Sequence, residues 1–169
     1  MMKWILIFVA IALSALLQLF LPPWPVFGGV KPPVIMAVAL YFALTASRRE
    51  MWVAVFWAAL LHDGLDLGGF GPALISFPVV GLLIHRVRHE IFVDGAVTQM
   101  FCGALGALFV VLITTLIYTI TGQRPFHFGM TLLRLLGAGL LGLITMPFVS
   151  LLMNKLGSML PKRRGYGWQ

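Results

Sequence analysis

The sequence predicts an all-α polytopic membrane protein, one bundle of about six transmembrane helices with both termini cytoplasmic. Three observations predict it: an apolar composition, a train of apolar runs cut by proline and glycine, and a one-sided distribution of Lys and Arg. Of 169 residues, 60% are hydrophobic and only 10% charged, and the mean hydropathy is +1.00. A soluble domain carries about a quarter charged residues, so this chain has too little polar surface to coat itself in water. Hydrocarbon removes the difficulty, because apolar side chains can face outward there. The length suits a single bundle over residues 1–160, followed by a short basic cytoplasmic tail at 161–169.

The first helix is expected over Trp4–Leu21. Met1-Met2-Lys3 ahead of it resembles the n-region of a signal peptide. The apolar run outlasts a usual h-region, however, and ends in Leu21-Pro22-Pro23-Trp24-Pro25 without a small-x-small cleavage site, which favours a retained helix. Pro22, Pro23, Pro25, Gly28 and Gly29 then force a real loop. Helix 2, Pro33–Ala46, is short against the roughly 20 residues a span needs. It either begins before Pro33 as irregular chain or is buried within the bundle. Helix 3 covers Met51–Leu67 and helix 4 Pro72–Val87, with Gly68, Gly69, Gly71 and Pro72 turning the chain between them. Helix 5, Ala96–Thr121, is the clearest, and Gly122 to Pro125 closes it. Helix 6 covers Met130–Leu156; Pro78 and Pro147 lie inside helices 4 and 6, where a bundle tolerates them.

Orientation follows from the basic residues. With the start inside, the inner segments hold nine: Lys3, Arg48, Arg49, Arg86, Arg88, Lys155, Lys162, Arg163 and Arg164. The outer segments hold three, Lys31, Arg124 and Arg134. This alternation also accounts for the net charge of +7 without a nucleic-acid partner. Trp4, Trp24, Tyr41, Trp52 and Trp168 fall near the expected boundaries, as interfacial anchors do. Arg48, Arg49, Arg86 and Arg88, with His85 and His89, form basic clusters suited to anionic lipid or a cytoplasmic partner. Ala54/Ala58, Gly103/Ala107 and Ala138/Gly142 have the small-xxx-small spacing of close helix contacts, within the chain or with a second copy in a homodimer.

The five acidic residues can be weighed singly. Glu50, Glu90 and Asp94 sit among cytoplasmic basic residues and read as solvated loop charges. Asp63 and Asp66 lie in the last turns of helix 3 beside His62, and a spacing of three puts both carboxylates on one face. Ionisable groups at membrane depth are costly and ask for a named partner. We expect Asp63 to pair with Arg134 across the outer half of the bundle, and Asp66 to face headgroups or cap the glycine turn. A partner or ligand contact and ion or proton handling are the competing roles. The lone Cys102 excludes an internal disulfide. No HExxH, GxSxG or Walker glycine loop occurs, so neither catalysis, a metal nor a cofactor is expected.

Three stretches together resemble a known family: LLQLFLPPWP (Leu16–Pro25), KPPVIMAVALYFAL (Lys31–Leu44) and AALLHDGLDLGGFG (Ala58–Gly71). In this order and at these distances the chain resembles MreD, the rod shape-determining membrane protein of bacteria. The resemblance covers about the first 95 residues; helices 5 and 6 match in length, hydropathy and a basic tail. In the family pattern the helix 3 acid stands eight residues before a glycine, which here selects Asp63 over Asp66. The resemblance implies a bundle similar to the substrate-binding subunits of energy-coupling-factor vitamin transporters. It implies a non-enzymatic scaffold of the bacterial inner membrane, paired with the single-span MreC. It also implies an elongation complex with RodA, a class B penicillin-binding protein and MreB.

A vitamin-type transport subunit is the rival reading, and it calls for a polar pocket open to the outside. The outer half offers Asp63, Asp66, His62, Arg124, His127 and Arg134, but the helices are otherwise poor in Asn, Gln and Ser. That thin lining favours the scaffold.

Overall fold

The computed structural model describes residues 2–65, 71–88, 95–123, 125 and 127–159. Asp66, Glu90, Asp94, His89, Arg124 and the basic tail therefore lie outside the described residues. The described residues form six helices: α1 (Met2–Phe20), α2 (Val34–Thr45), α3 (Arg48–Leu65), α4 (Pro72–Val87), α5 (Ala96–Ile120) and α6 (Phe128–Met159). One 3-10 turn, Pro25–Phe27, lies between α1 and α2, and no strand occurs among the described residues. Both internal prolines, Pro78 and Pro147, are carried within continuous helices.

Three helices, α1, α5 and α6, are long and apolar enough to cross a membrane. Their outer faces expose Leu13, Leu17, Phe101, Leu105, Leu136 and Phe148. Water would penalise such a surface, and hydrocarbon accepts it. The other three differ. α2 and α4, of 12 and 16 residues, are apolar but short. α3 has 18 residues but begins with Arg48, Arg49 and Glu50 and ends near His62 and Asp63.

The short α2 is the centre of the molecule. Apart from Tyr41, every residue from Val34 to Leu44 is buried, and α1, α3, α4, α5 and α6 all pack against it. A helix apolar on all sides is stable in a protein core or in hydrocarbon, and α2 occupies the core. Both features expected of helix 2 are present: irregular chain precedes it at 28–33, and the helix is buried within the bundle.

A buried helix must find partners for its end groups. At the start of α2 the Ile35 N–H donates to Gln18 Oε1 of α1 at 3.0 Å. At its other end His85 Nδ1 lies 2.9 Å from the Ala43 carbonyl, and an Arg88 terminal amino group donates to the Ala46 carbonyl. The charged Arg88 guanidinium at this helix C-terminus also complements its dipole. Arg88 is half-buried and bonded to the end of α2, whereas Arg48, Arg49 and Arg86 are exposed. Tyr41 donates to Asn154 Oδ1 at 2.8 Å and ties α2 to α6.

Glu50 is not a solvated loop charge. α3 begins at Arg48, three residues before Met51, and Glu50 Oε2 accepts from the Ser47 N–H at 3.0 Å and the Ser47 hydroxyl at 2.9 Å. This is the glutamate half of a Ser-x-x-Glu capping box, with the Ser47 hydroxyl turned to the same carboxylate. The Ser47 N–H, and less so its hydroxyl and the nearby Lys3 charge, hold the Glu50 carboxyl below its ordinary pKa.

The small-residue pairs mark packing seams within the chain. Ala54, Ala58, Ala107 and Ala138 are buried. A Cβ added to Gly103 would stand 2.3 Å from the Gly142 carbonyl oxygen, and one added to Gly142 would stand 2.4 Å from that of Gly103. α5 and α6 therefore touch backbone to backbone at this crossing, as small residues permit.

A cationic cavity between the helix ends

α2 is about 18 Å long, well short of the roughly 30 Å of a hydrocarbon core, so its start lies deep in the bundle. Longer neighbours rise past it and leave a cavity of about 410 Å³. The segment before α2, the last turns of α3 and α5 and the first turns of α6 all contribute to its lining, and we call this the cavity end.

The base of the cavity is apolar: Ile35 and Met36 of α2, Phe77 of α4, Ala107 and Val110 of α5, and Ala138 of α6. Its upper wall is polar. α5 contributes Thr114, Thr115, Tyr118 and Thr119, one helix face across two turns. α1 contributes Gln18, α3 contributes His62, and α6 contributes Thr131 and Arg134. Gly28, Gly29, Val30 and Lys31 close the side next to α2. The His62 ring lies tilted against Phe77 with centroids 5.2 Å apart.

That closing segment is held by its own backbone. Trp24 N–H donates to the Val30 carbonyl at 3.2 Å and Gly29 N–H to the Trp24 carbonyl at 3.0 Å. Gly28 adopts φ +67°, and a Cβ there would meet Arg134 Cγ at 2.8 Å, so both conformation and space require glycine. Phe27 sits against α6 at Gly137, where a Cβ would come within 2.4 Å of the Phe27 Cβ.

The expected Asp63–Arg134 pair is not formed. Asp63 is 3% exposed, and its carboxylate serves the start of α4. Oδ2 accepts from Gly71 N–H at 2.9 Å and Leu74 N–H at 3.2 Å, and Oδ1 from Ala73 N–H at 2.9 Å. The reason is local. Gly71 is the N-cap residue and has no side chain to cap with, Pro72 has no N–H, and the next two donors need an acceptor. A carboxylate from the preceding helix fills that role and suits the positive end of the α4 dipole. The cap falls to Asp63, eight residues before Gly71. Arg134 instead donates from Nε to the Gly28 carbonyl at 3.2 Å.

Of the six residues expected to furnish an outer pocket, His62 and Arg134 line this cavity and Asp63 does not. Asp66 and Arg124 lie outside the described residues. His127 sits on the connection ahead of α6, its Nδ1 3.2 Å from the Pro125 carbonyl. The lining is richer than the scarcity of amides suggested, because threonine and tyrosine supply it. The signal was present in Thr114-Thr115-Leu116-Ile117-Tyr118-Thr119, whose hydroxyls recur on one side of an otherwise apolar helix. Among the described residues no group of His, Cys, Asp and Glu is placed to hold a metal ion.

Compared with family models, with curated proteins and with solved structures, the chain matches none of them.

Proposed function

We propose that this chain is a non-enzymatic scaffold of the bacterial inner membrane, a six-span, MreD-like partner of MreC in the complex that builds the lateral cell wall. Both termini face the cytoplasm in this reading, which rests on the distribution of Lys and Arg. The observation that carries the scaffold reading is what the polar residues of the family-like stretches do. Gln18 caps the buried start of α2, and Asp63 caps the start of α4. Side chains committed to helix ends hold a shape, and a scaffold is a shape that others bind. Exposed Arg48, Arg49 and Arg86 remain for cytoplasmic partners such as MreB or for anionic lipid.

Depletion in a rod-shaped native host tests the reading. Cells should widen and round as the protein is lost, and Asp63→Ala should fail to restore their shape. Normal width after full depletion would remove the scaffold role.

The cavity favours a second reading, a vitamin-type substrate-binding subunit of a transporter. Its volume lies within the range of about 300–1,000 Å³ usual for small-molecule sites, and it combines an apolar base with convergent polar groups. Loss of uptake of one solute in depleted cells of normal shape would select this reading.

A further inference from the structure

We propose that the cavity binds an amphiphile with one anionic head, a phosphate or carboxylate, and an apolar body. The charge of the lining points to the head. Lys31 and Arg134 both face the cavity, and no Asp or Glu lines it among the described residues. The carboxylate at this end of α3 that the structure describes, Asp63, is already occupied by three backbone N–H groups. Two like charges beside one partly enclosed space repel, and an anion between them relieves that cost.

Arg134 is placed for the task. Its Nε is fixed by the Gly28 carbonyl at 3.2 Å, which orients the guanidinium. Its two terminal amino groups make no further hydrogen bond among the described residues. A fork held in this way presents paired donors to a carboxylate or phosphate. The hydroxyls of Thr115 and Thr119 on α5 and Thr131 on α6 stand in the same upper wall and can donate to remaining head oxygens. Thr119 already donates its own hydrogen to the Thr115 carbonyl at 2.8 Å, so Thr115 and Thr131 are the hydroxyl donors of choice.

The apolar base points to the body. Below the cations the wall turns to Met36, Phe77, Val110 and Ala138, which would strand a small hydrophilic anion but suits a hydrocarbon chain or ring. A metal-chelating ligand is disfavoured by the same charge balance. The inference does not rest on the scaffold reading, since a scaffold can hold a bound amphiphile, and its failure leaves that reading intact.

The test uses the full chain in phosphatidylcholine nanodiscs. Octyl phosphate and uncharged octyl glucoside are titrated by calorimetry. In parallel, phosphatidic acid is exchanged into the discs and retention on the protein is read by native mass spectrometry. Octyl phosphate or phosphatidic acid should be held, with octyl glucoside at least on the order of tenfold weaker than octyl phosphate. Arg134→Gln should weaken binding by a similar factor, and Arg134→Lys should restore part of it. Because Arg134 also holds the Gly28 segment, Thr115→Trp serves as a second variant: it fills the cavity from α5 and leaves that contact in place. Retention of phosphatidic acid identifies a lipid source, and octyl phosphate binding alone identifies a ligand arriving from water. Equal affinity for octyl phosphate and octyl glucoside, absence of binding in both arms, or binding untouched by both Arg134→Gln and Thr115→Trp would overturn the proposal.

Discussion

Replacing Asp63 probes the most specific contact in the fold. Its carboxylate accepts from Gly71, Ala73 and Leu74 at 2.9, 2.9 and 3.2 Å. In Asp63→Ala the N–H groups of Ala73 and Leu74 lose their acceptor, and each buried donor left unpaired costs roughly 1–3 kcal/mol. Loss of an N-cap by itself costs about 1 kcal/mol. Water reaching the outer donor returns part of this, so the net loss should be about 3–5 kcal/mol. Asp63→Asn keeps one carbonyl oxygen and turns an amide toward at least one donor, and it should cost about 1–3 kcal/mol. The assay is thermal unfolding in detergent, read by a thiol-reactive dye. Cys102 is the sole cysteine and is buried, so its labelling reports the opening of the bundle. Arg134→Gln supplies the decisive comparison. The two side chains bind different backbone groups, so the double variant should show additive losses within about 0.5 kcal/mol. A coupling well above that, or an Asp63→Ala protein as stable as the parent, would refute the capping account.

Three further outcomes follow from named contacts. Gln18→Leu strands the Ile35 N–H and should cost about 1–3 kcal/mol, while Gln18→Glu, which keeps an acceptor, should cost less; the same dye assay measures both. Gly103→Ala drives a Cβ to 2.3 Å from the Gly142 carbonyl oxygen and should destabilise by about 1–3 kcal/mol. Gly139→Ala meets only Leu108 at 3.4 Å and should be neutral or stabilising by up to about 1 kcal/mol. Glu50 has a depressed folded pKa, so its contribution is fully present above its unfolded value and is lost as the pH falls through the folded one. Unfolding followed across acidic pH should therefore lose a small component in the parent that is missing in Glu50→Gln.

The sequence carried much of this fold, and the failures have physical causes. α1, α5 and α6 are legible because a long apolar run between breakers has few alternatives. The central place of α2 is not, because hydropathy measures how apolar a residue is and not what surrounds it. Two shells of an all-apolar bundle read alike, and only the shortness of the Pro33–Ala46 run hinted at burial. Asp63 was recognised as costly, but its partner was sought among distant cations. The demand came instead from its neighbour in sequence: Gly71-Pro72 starts a helix that cannot cap itself, and an acid shortly upstream is the nearest remedy. Glu50 likewise answers a demand from its neighbour in sequence. Ser47-Arg48-Arg49-Glu50 spells a capping box, yet the arginines drew the reading toward a solvated loop. The polar lining of the cavity is hard to see in the sequence because the α5 threonines are neither charged nor amides. Their hydroxyls matter only once a short α2 leaves room beside them.

A short buried helix, capped from α1 and α4, organises the bundle and leaves a cationic cavity beyond its start, and the whole is proposed to serve as a membrane scaffold. Purification of the tagged full chain from its native membrane, with identification of what accompanies it, tests that claim most directly. The account predicts recovery of a single-span protein with a large outer domain of the MreC kind, together with RodA and a class B penicillin-binding protein. Recovery of an energising pair of ATPase subunits and a bound vitamin, with no MreC, would contradict it.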